Sequence, residues 1–174
     1  MQFVSEKWYE LTENSCKLIY DEAKARFEEF ASESESITNK SIKILSVTFS
    51  LAAFLLAYAF SHSANIISFI ILGIAVIIFV WELVLLFVLI APKDVRFRGV
   101  DVGVSFKKEV VDEENKEYQI QATYFTVIKA LKENADFMFD KNNTRASKYE
   151  TALVLLFTFV LLIGTYIGIT LSHL

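Results

Sequence analysis

Three long apolar blocks constrain what this chain can fold into more than any other feature of its sequence. They run from about Ile44 to Phe60, from about Ile66 to Ala91 and from about Ala152 to Leu171, and Glu82 is the one charged residue within them. A helix rises about 1.5 Å per residue, so about 20 residues cross a hydrocarbon core of about 30 Å. The third block matches that length and the first is at its short limit. The second is long enough to tilt or to continue beyond the bilayer. Outside the blocks the chain is polar: 17 basic and 21 acidic side chains lie in a 174-residue chain that is 54% hydrophobic.

The flanking charges orient the blocks. Lys40 and Lys43 precede the first, Lys93, Arg96 and Arg98 follow the second, and Lys141, Arg145 and Lys148 precede the third. Positively charged flanks stay on the cytoplasmic side, which places all three there. The connection from Ser61 to Asn65 has no Lys or Arg, and only three residues follow Leu171, so both are expected on the outer side. The reading is a multi-pass membrane protein with a cytoplasmic N-terminus and a periplasmic or extracellular C-terminus. Tyr58, Tyr149 and Tyr166 fall where an interfacial aromatic belt would lie. The mixed, polar opening of about 40 residues does not read as a cleaved signal. Cys16, the single cysteine, is expected to be a reduced thiol on a helix face.

In residues 1–42, Val4, Trp8, Leu11, Ile19, Ala23, Phe27 and Phe30 recur at helical spacing among charged residues, which predicts an amphipathic helix. That segment holds nine acids against five bases, so its apolar stripe is expected to meet protein rather than an anionic lipid surface. Ser32 to Asn39 is either a bend or a polar helical turn leading into the first span. Residues 43–91 form a transmembrane hairpin. In the cytoplasmic region 92–150, alternation of Val100, Val102, Val104 and Phe106 with polar residues predicts a strand over 95–106 with a register shift at Gly99. Helical spacing of Ile120, Tyr124, Val127, Ile128, Leu131, Ala135 and Met138 predicts a helix over 112–139, with a terminating turn at Asp140 to Thr144. Residues 151–174 carry the third transmembrane helix. The fold class is an all-α membrane protein with three transmembrane helices, amphipathic cytoplasmic helices and a short β segment.

No phosphate-binding glycine loop, dinucleotide fingerprint, HExxH or cysteine pair is present, so neither an enzyme nor a cofactor is expected. His62 and His173 are too weak a set for a metal site. Glu82 is the most informative residue, because a carboxylate in hydrocarbon costs about 2.5–3.5 kcal/mol at the centre of a span and such residues face a bundle interior or water. It reads either as an interfacial carboxylate paired with Lys43 or Lys148, or as one of a ring of carboxylates lining a cation pore. Ser46, Ser50, Ala53 and Ala57 in the first span, and Gly164 and Gly168 in the third, have the small-residue spacing that lets helices approach closely, within one chain or between copies. Asn142, Asn143 and Thr144 form a glycosylation sequon that this topology leaves in the cytoplasm. Lys93, Arg96, Arg98, Lys107 and Lys108 are either topology signals or, repeated around a ring, a site for a nucleotide or oligonucleotide.

The layout of charged N-terminal helix, tight hairpin, cytoplasmic insert and further span resembles small membrane effectors of bacterial anti-phage defence, the SLATT-type two-span effectors and the channel subunit of the Hailong system. The resemblance is one of architecture, and the third span favours the channel subunit. It implies an oligomeric pore gated by a nucleotide signal or a soluble regulatory protein. The rival reading is a non-conducting anchor that holds a soluble partner at the membrane.

Overall fold

The computed structural model describes residues 8–61, 66–91 and 115–172. A short 3-10 turn, Trp8–Glu10, precedes three helices: α1 (Glu13–Ser61), α2 (Ile66–Ile90) and α3 (Lys116–Ser172). The described residues contain no strand. The strand expected over 95–106 lies outside them, as do Lys93, Arg96, Arg98, Lys107, Lys108, His62 and His173.

One of the expected boundaries differs, and one open alternative is decided. The Ser32–Asn39 segment is helical throughout, one of the two readings its composition allowed. The turn expected at Asp140 to Thr144 does not form, and the helix expected to end at 139 continues to Ser172. The physical reason lies at Asn142. The segment holds no proline or glycine, and Asn142, a residue that favours turns by bonding its own backbone, spends its amide elsewhere. Its Nδ2 donates to the carbonyl of Phe30 at 2.8 Å and to Glu33 Oε2 at 3.0 Å.

The chain divides into two compact units, with the boundary after Ser34 in α1 and after Asn142 in α3. In the first unit, the early turns of α1 pack on the early turns of α3. Phe27, Leu131, Ala135 and Met138 form its buried core, flanked by Tyr20, Ala23, Phe30, Val127 and Phe137. Trp8 stacks on Phe125, with ring centroids 4.9 Å apart. Gln121 Nε2 donates to the carbonyl of Leu11 at 2.6 Å. Asn115 caps α3, its side-chain oxygen accepting from the backbone N–H groups of Glu117 and Tyr118.

The second unit is a three-helix bundle. One cluster joins Ala52 and Leu55 of α1, Ala75 of α2, and Phe159, Ile163 and Tyr166 of α3. The other joins Ile37 and Ile44, Leu86 and Leu89, and Ala152. Its outer surface is apolar: Phe54, Phe69, Ile77, Val84 and Phe157 are each more than half exposed. Such a surface is untenable in water and natural in lipid. All three helices are long and apolar enough to cross a membrane.

Candidate functional site

Glu82 is fully buried. It shares a face of α2 with Ala75 and Phe79 toward one end and Leu86 and Leu89 toward the other, because steps of three and four residues return to the same side of a helix. Ala75 and Phe79 belong to one cluster and Leu86 and Leu89 to the other, so the carboxyl group sits in the interval between two apolar layers. Among the described residues its one hydrogen bond is to Thr48 of α1, whose Oγ1 lies 2.7 Å from Glu82 Oε1 and 3.0 Å from the carbonyl oxygen of Ile44. Oε2 is buried with no hydrogen-bond partner among the described residues.

The pairing with Thr48 locates the carboxyl. Thr48 is four residues into the first apolar block, about 6 Å along the helix axis from Ile44. Glu82 therefore lies at a level about one turn of α1 inside the lysine-flanked end of the first apolar block. Neither lysine weighed as a partner reaches it. Lys43 is five residues before Thr48, about 140° round α1, and its side chain is exposed. Lys148 lies one turn before Ala152, which packs in the layer of Leu86 and Leu89, beyond Glu82.

The basic residue that does enter this unit is Arg145. It is buried, and its Nη2 donates to Thr38 Oγ1 at 2.6 Å and to the carbonyl of Leu89 at 3.0 Å. Leu89 is in the last turn of α2, whose final carbonyls have no helical partner and carry the negative end of the helix dipole. A guanidinium there satisfies both needs and joins α1, α2 and α3. Burial pulls it down from its ordinary value, and an arginine so displaced stays charged. In the sequence Arg145 read only as one of several flanking bases.

The small residues marked for close packing lie outward. Ser46, Ser50, Ala53, Ala57, Gly164 and Gly168 are all exposed in the chain. A methyl group built on Gly164 or Gly168 meets nothing within 4 Å. The hydroxyls of Ser46, Ser50, Thr158 and Thr165 bond back to carbonyls of their own helices, whereas that of Thr48 also reaches another helix.

In the first unit an open groove of about 330 Å³ is lined by Tyr9, Glu10, Glu117, Tyr118 and Gln121 among others, with two carboxylates and no base in its lining. That charge suits an anionic ligand poorly. Cys16 is buried, and its thiol is pushed up by burial and secondarily by Glu13. No group of metal-ligating side chains occurs among the described residues. No family model, curated protein or solved structure matches the chain.

Proposed function

We propose that this chain is a subunit of an oligomeric, ion-conducting effector of a bacterial inner membrane, with its first unit on the cytoplasmic side answering a soluble regulator or a nucleotide. The observation that carries the reading is the outward position of both small-residue faces. Both are exposed among the described residues, and Gly164 and Gly168 leave open space where a neighbouring helix backbone would fit. One three-helix bundle with apolar interior layers encloses no aqueous path, so conduction needs several copies. The architectural resemblance supplies the setting, anti-phage defence.

A specific observation favours the rival anchor. Glu82 lies inside its own bundle. Copies assembled with that packing unchanged would enclose apolar and hydroxyl side chains and no carboxylate. Conduction by a Glu82-lined path therefore requires α2 to turn or separate from α1. The test is current across a planar bilayer holding purified protein, wild type against Glu82→Gln, with and without a candidate soluble regulator. Discrete conductance whose cation selectivity falls in the variant is the expected result. A silent bilayer, under conditions in which a control channel conducts, overturns the pore and leaves the anchor.

A further inference from the structure

Glu82 poses a problem of protons that the packing itself answers. Its Oε1 and the carbonyl oxygen of Ile44 both lie within hydrogen-bond distance of Thr48 Oγ1, at 2.7 Å and 3.0 Å. A threonine hydroxyl has one hydrogen to donate. An ionised carboxylate only accepts, so it would compete with Ile44 for that hydrogen, and one of the two short contacts would join oxygens with no proton between them. A protonated carboxyl resolves the competition: Glu82 donates to Thr48 Oγ1, and Thr48 donates to the carbonyl of Ile44.

The surroundings point the same way. Among the described residues Thr48 is the one polar partner the carboxyl group has, and Oε2 has none. The three packed elements offer no counter-charge. Between Lys43 and Tyr58 α1 has no titratable residue, between Glu150 and Tyr166 α3 has none, and Glu82 is alone in α2. Lys43 and Glu150 are exposed, and Arg145 is engaged by Thr38 and Leu89. An uncompensated charge in such a site costs several kcal/mol, whereas a neutral acid with one strong hydrogen bond costs far less.

We propose that Glu82 is a proton-binding site: in the packed bundle it is a neutral carboxylic acid donating to Thr48, and this proton-bearing pair fastens α2 to α1. Proton release leaves a carboxylate that the packed interior cannot hold, so α2 must turn the group toward water. The site lies about one turn of α1 inside the apolar block, close enough to its end for the proton to exchange with solvent once the helices part. The proposal does not depend on whether the assembled protein conducts.

Infrared difference spectroscopy of the full chain in lipid vesicles at pH 7 tests it. The expected spectrum has a carboxylic-acid carbonyl band that is absent in Glu82→Gln and shifted in Thr48→Val, which removes the acceptor. Glutamine can donate to Thr48 as the neutral acid does, so Glu82→Gln should retain the wild-type thermal midpoint and confirm that the band is lost without loss of fold. If wild type and Glu82→Gln show the same spectrum in this region, Glu82 is ionised and the proposal fails. A band that Thr48→Val leaves unmoved overturns the pairing that fastens the helices.

Discussion

At the scale of single residues, three polar side chains do work that their types alone do not announce. Asn142, in a sequon by sequence, is 1% exposed and bonded to Phe30 and Glu33, so it is inaccessible to modification whichever side of the membrane it occupies. Arg145 ties the end of α2 to α1 and α3. Glu82 meets Thr48 and not a lysine. Cys16 yields a direct prediction. Burial first, and the Glu13 carboxylate second, hold its thiol above the ordinary range, so less thiolate is present at pH 7 than in a free cysteine. Alkylation by iodoacetamide should be slower for the native protein than for the detergent-denatured chain by at least the ratio of those thiolate fractions, and should accelerate as pH rises. Equal rates at neutral pH would mean that the thiol is exposed.

At the scale of elements, continuity of α3 is the main departure from expectation. A stretch rich in Asn and Asp such as Asp140 to Thr144 favours a turn, because those side chains compete for the backbone. The competition is lost where Asn142 has better partners on α1. Asn143→Pro distinguishes helix from turn. Asn143 is exposed and within α3, so proline there removes a helical hydrogen bond and clashes with the preceding turn, at about 3 kcal/mol or more. Thermal unfolding followed by circular dichroism should show a marked loss of stability for Asn143→Pro and almost none for Asn143→Ala, whose change at an exposed position is about 0.5 kcal/mol or less. A proline variant as stable as wild type would restore the turn.

At the scale of the whole molecule, the question is what covers the outward faces of the bundle. Lipid covers a surface of Phe, Ile and Val without further help. Small residues at helical spacing do better against another helix. Gly164→Ile combined with Gly168→Ile separates the two. Neither added side chain meets an atom of the same chain at its Cβ, so the monomer should fold, with unchanged helical content. Chemical cross-linking in detergent and in vesicles should show wild type as a defined oligomer and the double variant shifted to monomer. Oligomers unaffected by both substitutions would remove α3 from the interface and direct attention to Ser46, Ser50, Ala53 and Ala57.

The sequence by itself determined that three segments are long and apolar enough to cross a membrane, because apolar length against bilayer thickness is a property of composition along the chain and needs no knowledge of what packs where. It also marked Phe27, Leu131, Ala135 and Met138 as core, since helical periodicity places them on common faces. It singled out Glu82 by the cost of its charge in hydrocarbon. Only the tertiary structure decided which groups meet. Thr48 and Glu82 are 34 residues apart, and Arg145 reaches Leu89 across 56. No local pattern encodes such contacts, which depend on the rotation of each helix about its axis. That rotation is set by the summed packing of every layer in the bundle, and the same rotation turns the small-residue faces outward and the carboxyl group in.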